Sequence, residues 1–119
     1  MKIITNILIV FVLALITNNS YAQIKNSKTE TIKIYGNCSM CETNIEKAGN
    51  IKKMAKVDWN EKTKVAEITY NTEKTNTDEI LKRIAAAGYD SDKFSAPDEV
   101  YSELHGCCQY DRPAKKTTK

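Results

Sequence analysis

The chain has 119 residues, 18 of them basic and 15 acidic, and a formal charge of +3. This balance is too weak to favour nucleic-acid binding, and the alternation of basic with acidic residues is typical of a solvated surface. The length suffices for one small domain with an appendage.

Residues 1–22 have the pattern of a secretory signal peptide. Lys2 is followed by an apolar run over residues 7–16, and Ser20 and Ala22 are small residues at the positions that a signal peptidase reads. The run is too short to span a bilayer comfortably. We therefore expect cleavage after Ala22, a periplasmic location and no stable membrane insertion afterwards. Cleavage removes one lysine and no acid, which lowers the charge from +3 to about +2.

The most informative stretch follows a polar N-terminal lead at residues 23–29. Residues 31–36 predict a first strand, and Cys38 and Cys41 follow at C-x-x-C spacing. A helix is predicted over about residues 40–48. The two thiols would then lie at a helix N-terminus, where free N–H groups and the helix dipole favour the thiolate form.

Two further strands and a second helix are predicted downstream. Residues 51–59 and 64–70 alternate apolar with polar side chains and form an antiparallel hairpin. Thr77 is the predicted N-cap of the second helix, Gly88 ends it, and a fourth strand is expected over residues 90–94. The predicted fold is α+β and ferredoxin-like (βαββαβ): a four-stranded antiparallel sheet with two helices on one face.

A separate tail is predicted over residues 96–119. The tail begins with a short predicted helix that ends at Gly106, and the adjacent cysteines Cys107 and Cys108 follow. Residues 110–119 are charged, and we expect them to be disordered.

The segment 30–95 resembles the heavy-metal-associated domain of soluble copper chaperones, copper-pumping ATPases and the periplasmic mercury-binding protein. The resemblance rests on the C-x-x-C pair, on Gly88-Tyr89 at the end of the second helix and on the hairpin between them. It implies that Cys38 and Cys41 bind the metal ion and that Tyr89 lies near the metal loop.

The sequence departs from this family at two places. The family motif usually begins with Gly-Met, whereas here Tyr35-Gly36 stands in its place. That methionine is mainly a buried anchor of the loop, so its absence suggests a more mobile site. The second departure is the cysteine-bearing tail, which simple copper chaperones lack.

Four cysteines in a small exported protein also suit disulfide bonds or thiol–disulfide exchange. Cys38 and Cys41 enclose too short a loop for a bridge between them to stabilise the fold much, although bridges between the two cysteine pairs stay open. A thioredoxin-type oxidoreductase is less favoured. The strand order differs, and both prolines, Pro97 and Pro113, lie in the tail.

Further metal ligands are expected from the tail. If its helix folds back, Cys107 or Cys108 or both would join the motif cysteines, giving three or four sulfurs. His105 is a weaker candidate for a nitrogen ligand. Met40, between the motif cysteines, is interpreted as a core residue rather than a thioether ligand.

The sequence thus predicts an exported copper chaperone or scavenger that is not an enzyme. It would hold Cu(I) on thiolates and pass it on by ligand exchange, with Hg(II) or Zn(II) as the alternative ions. The resemblance implies a metal-transporting ATPase or efflux component as the partner, and the protein would be a monomer or a metal-bridged dimer.

Overall fold

A computed structural model describes residues 24–114 of the chain. The predicted signal peptide and the last five residues lie outside this described part. Within it, no helix combines the length and apolar character needed to cross a membrane.

The described chain has an α+β fold, as predicted. Its three-stranded antiparallel sheet has the order β1-β3-β2. The elements in chain order are β1 Ser27–Lys33, α1 Ser39–Gly49, β2 Ala55–Trp59, β3 Val65–Asn71, α2 Thr77–Ala86 and α3 Asp98–Ser102, followed by a 3₁₀ turn at Gly106–Cys108.

The hairpin of β2 and β3 supplies one side of the core. Strict alternation in β2 buries Ala55, Val57 and Trp59, and in β3 it buries Ala66, Ile68 and Tyr70. The period-two pattern that predicted these strands therefore also identified their inner face. The predicted second strand was too long at its start, because residues 51–54 form a turn before β2.

The helices supply the other side of the core. α1 packs against β2 and α2 and buries Cys41, Ile45 and Gly49. A Cβ atom at Gly49 would lie 2.4 Å from the Val57 side chain, so only glycine allows this close approach of helix and strand. Cys41 is thus fixed on the buried face of a tightly packed helix.

A fourth strand is not formed within the described residues, contrary to the prediction for residues 90–94. A single antiparallel bridge joins Ser91 to Ile34. The Ser91 side chain accepts hydrogen bonds from the N–H groups of Lys93 and Phe94, and the Ser91 N–H donates to the Phe94 carbonyl. These local bonds turn the chain where a ladder would otherwise continue.

The N-cap of α2 is Asn76 rather than the predicted Thr77. The Asn76 side chain accepts a hydrogen bond of 2.9 Å from the backbone N–H of Glu79, as an N-cap residue does. The Thr77 hydroxyl instead donates to the carboxylate of Glu30 in β1. Thr77 therefore ties the helix start to the sheet.

The tail folds back over the end of α2. Gly88 has a φ of +108°, and a Cβ there would lie 3.1 Å from Leu104 of the tail. The prediction of disorder from residue 110 onward is wrong for its first residues, because Tyr110 is 2% exposed and belongs to the hydrophobic core. This fold-back determines where the tail cysteines lie.

Candidate metal centre

Three of the four thiols converge between the N-terminus of α1 and the 3₁₀ turn of the tail. The Sγ atom of Cys38 lies 3.7 Å from that of Cys41 and 3.9 Å from that of Cys108. All three sulfur atoms lie within 4.8 Å of one another. We call Cys38, Cys41 and Cys108 the sulfur cluster.

These separations suit a single soft metal ion. Metal–sulfur bonds of about 2.3 Å require sulfur atoms roughly 3.8 to 4.0 Å apart, for tetrahedral or trigonal planar coordination. Two of the three edges of the sulfur cluster already have this length, so binding an ion would need little movement. All four cysteines are free thiols in the structure.

The loop before α1 is held by Trp59 at the end of β2. The indole N–H of Trp59 donates a hydrogen bond of 2.9 Å to the carbonyl of Ile34. A Cβ atom at Gly36 would lie 3.1 Å from both the Trp59 ring and the Cβ atom of Cys41. A side chain at position 36, such as the methionine of the family that this segment resembles, would therefore crowd the Trp59 ring and Cys41.

The start of α1 favours a thiolate at Cys38. The backbone N–H of Cys41 is the main cause that lowers the pKa of Cys38 to about 7, and the backbone of Met40 contributes in the same direction. This agrees with the expectation that free N–H groups at a helix start stabilise a thiolate. The Asn37 N–H also points at the sulfur of Cys41, at 3.4 Å.

The environment of Cys108 has the opposite effect. Burial is the main cause that raises its pKa to about 12, although a hydrogen bond from Tyr89 works in the opposite direction. The Tyr89 hydroxyl also accepts a hydrogen bond of 3.0 Å from the Asn44 side chain of α1. Tyr89 therefore lies beside the sulfur cluster. Without a metal ion, Cys108 is a neutral thiol next to a much more acidic one.

Tyr110 fixes the position of the 3₁₀ turn. Its hydroxyl donates to the Gly88 carbonyl at 2.8 Å and accepts from the Asp90 N–H at 2.7 Å. Its ring stacks on Tyr35 and Tyr89, with centroids 6.5 and 5.9 Å away. Because Tyr110 follows Cys108 by two residues, these contacts hold Cys108 over the motif loop.

An ion pair secures the tail further. Both carboxylate oxygens of Asp90 accept hydrogen bonds from Arg112, at 2.8 and 2.9 Å, and the Asp90 side chain is 1% exposed. Arg112 also pairs with Asp98 at 2.6 Å and donates to the Ala96 carbonyl at 2.7 Å. A bidentate pair of this kind is directional as well as charged. We call these contacts of Tyr110 and Arg112 the tail latch.

The other predicted ligands do not join the cluster. Cys107 is exposed, with its sulfur 4.0 Å from that of Cys108. His105 is also exposed; it immediately precedes the 3₁₀ turn and is not part of the group of ligand atoms that lie within 4.8 Å of one another. Met40 is 43% exposed, contrary to its interpretation as a core residue, because it lies one position away from the buried Cys41 on the helix.

Sequence reasoning missed the residues that build the site without touching an ion. Trp59 was predicted only as the last residue of the strand over residues 51–59, and Tyr110 and Arg112 were assigned to a disordered end. A tyrosine and an arginine two and four residues after a cysteine pair were the available signal. Their partners, Gly88 and Asp90, are distant in sequence, so no local pattern revealed the pairing.

We predict that alkylation of the metal-free protein near neutral pH modifies Cys38 before Cys107. Cys107 is the more exposed, but its pKa is raised, chiefly by its side-chain hydrogen bond with Cys38, whereas that of Cys38 is lowered to about 7. The labelling rate of Cys38 should fall as the pH drops through this value. Limited iodoacetamide labelling with peptide mass spectrometry measures the order, and urea-unfolded protein is the control. Faster labelling of Cys107 would contradict the electrostatic account.

Comparison with known proteins identifies no relatives: no family model matches the chain, and neither the curated proteins nor the solved structures yield a match.

Proposed function

We propose that the protein is an exported soft-metal-ion binding protein, a copper chaperone or scavenger that holds Cu(I) on its sulfur cluster and passes it on by ligand exchange. The observation that carries this proposal is the convergence of Cys38, Cys41 and Cys108 within 4.8 Å. The export part rests on the sequence pattern of residues 1–22.

The number of convergent ligands favours Cu(I) over Zn(II). Within residues 24–114, the cluster has three thiols and no histidine or carboxylate. Structural Zn(II) sites take four ligands in a tetrahedron, whereas thiolates alone suit Cu(I). Hg(II) shares this preference for sulfur and stays the alternative ion of the same site.

The fold supports a ferredoxin-like interpretation with a shortened last strand. The order strand, helix, strand, strand, helix and the sheet order β1-β3-β2 suit that arrangement. The bridge between Ile34 and Ser91 lies where the fourth strand would pair with the chain after β1. We therefore infer a variant of the heavy-metal-associated domain in which the tail takes over part of the site.

The three cysteines of the sulfur cluster differ in exposure, and this difference supports ligand exchange. Cys41 and Cys108 are fully buried, whereas Cys38 is half-buried at the edge of the cluster. A thiolate of an incoming protein would add to the ion beside Cys38, and one resident sulfur would then leave. By resemblance, this partner is a metal-transporting ATPase or an efflux component.

Thiol–disulfide exchange is the second candidate function. The observation in its favour is the lowered pKa of Cys38, about 7, with the sulfur of Cys41 3.7 Å away. An attacking thiol with a pKa near the ambient pH is close to optimal for such exchange. The buried sulfur of Cys108, the third in the cluster, has no role in a two-cysteine oxidoreductase, and this favours metal binding.

An anaerobic competition titration tests the proposal. The reduced protein is titrated with Cu(I), Hg(II) and Zn(II) in the presence of a chromophoric chelator for each ion. We expect one Cu(I) or one Hg(II) per chain, with Zn(II) held much more weakly. In parallel, insulin reduction should not exceed the background of a small dithiol. Absence of Cu(I) and Hg(II) uptake together with insulin reduction would establish the oxidoreductase instead.

A further inference from the structure

Cys107 is the one thiol of the described chain that lies on the surface outside the sulfur cluster. Its sulfur is 4.0 Å from the buried sulfur of Cys108. Its carbonyl accepts hydrogen bonds from the thiol of Cys38 at 3.6 Å and from the side-chain amide of Asn37 at 3.4 Å. The backbone of Cys107 is therefore anchored at the rim of the cluster, although its side chain is exposed.

An exposed thiol at this rim gives an incoming ion a second point of entry beside the half-buried Cys38. Two of the three cluster cysteines, Cys41 and Cys108, have no exposed surface. An incoming complex cannot meet Cys41 or Cys108 first. The separation of 4.0 Å between the sulfurs of Cys107 and Cys108 matches the roughly 4.0 Å that one ion with bonds of about 2.3 Å spans in a trigonal plane.

We propose that Cys107 is an exchange thiol, which takes the ion from a donor and hands it to the sulfur cluster, and which reverses these steps on release. This inference rests on the proposed function. Cys107 forms a bond to the ion, and the donor thiolate leaves. Cys108 and the motif cysteines then bind the same ion, and the bond to Cys107 breaks.

The steps balance without any redox reaction. The ion keeps its oxidation state throughout. Each protein thiol that binds the ion releases its proton to solvent, and Cys107 takes up a proton from solvent when it is displaced. The donor leaves as a free thiol or thiolate. Cys107 therefore changes the rate of transfer and is absent from the final coordination sphere.

The test compares Cys107→Ser with the unmodified protein in stopped-flow transfer of Cu(I) from its glutathione complex. We expect the second-order rate constant to fall about tenfold or more, within the one to three decades over which such constants vary among variants of one interface. The affinity from chelator competition and the sulfur count from X-ray absorption should stay unchanged. Cys107→Ala provides a second variant without a hydroxyl, and circular dichroism checks the fold of both.

Two outcomes would overturn the inference. An unchanged transfer rate would show that the ion reaches the cluster without Cys107, and a joint loss of affinity and one sulfur would make Cys107 a resident ligand. Cys108→Ser is the matched control, because it should lower the affinity and remove one sulfur. Failure of the unmodified protein to take up Cu(I) would instead reject the proposed function itself.

Discussion

Replacement of Cys38 by serine is expected to lower the Cu(I) affinity more than about 100-fold. This loss exceeds the one that typically follows removal of a residue that only hydrogen-bonds to a metal ligand. Cys38 forms both short edges of the sulfur cluster, 3.7 Å to Cys41 and 3.9 Å to Cys108. The pKa of the Cys38 thiol is also lowered, which favours the thiolate that would bind the ion.

Replacement of Cys108 by serine should lower the Cu(I) affinity less than replacement of Cys38 does. The two motif cysteines stay in place, and we expect Cu(I) to accept two sulfurs. Competition with a chromophoric Cu(I) chelator measures both affinities, and Cys107→Ser is the control with unchanged affinity. Equal losses for Cys38→Ser and Cys108→Ser, or no loss for either, would contradict this division of roles.

The second large effect is expected at the tail latch. Arg112→Met keeps much of the aliphatic stem but leaves the carboxylate of Asp90, 1% exposed, without its guanidinium. Breaking one partner of a buried ion pair typically costs about 3 to 5 kcal/mol in the free energy of unfolding. Arg112 also donates to the Ala96 carbonyl and pairs with Asp98. Loss of the guanidinium should therefore release the tail, so that Cys108 no longer binds the copper ion and the number of sulfur ligands falls by one.

Chemical unfolding and X-ray absorption measure the two parts of this prediction. Asp98→Asn is the matched control, because the Asp98 side chain is 59% exposed and loss of such an exposed ion pair should cost less than about 1 kcal/mol. The double variant Asp90→Asn with Arg112→Met should recover part of the stability, since neither charge stays buried alone. Equal stability of Arg112→Met and Asp98→Asn would contradict the latch.

Local patterns explain why much of the architecture could be predicted from the sequence. The alternation around Val57 and Ile68 defined both the hairpin and its buried face, and the helix predicted over about residues 40–48 placed the C-x-x-C motif at a helix start. Each of these signals involves neighbours along one element. They needed no knowledge of the rest of the fold.

The failures share a different cause. The strand expected at residues 90–94 is replaced by a turn because the Ser91 side chain satisfies nearby backbone N–H groups. The ordered end of the tail depends on Tyr110 and Arg112, whose partners lie about 22 residues earlier in the chain. Contacts between residues so far apart produce no periodic pattern in the sequence.

The candidate site divides in the same way. C-x-x-C spacing at a helix start indicated Cys38 and Cys41 directly. Selection of Cys108 over Cys107 could not be predicted, because adjacent residues differ only in the direction that the 3₁₀ turn gives them. Trp59 was visible as an apolar strand residue, but its support of the motif loop depends on the space beside Gly36.

X-ray absorption at the copper edge of the reduced, Cu(I)-loaded protein tests the central claim most directly. The account predicts three sulfur ligands and no nitrogen or oxygen ligand, with one copper ion per chain. Coordination dominated by nitrogen or oxygen, or a protein that retains no copper after reduction of its thiols, would contradict it.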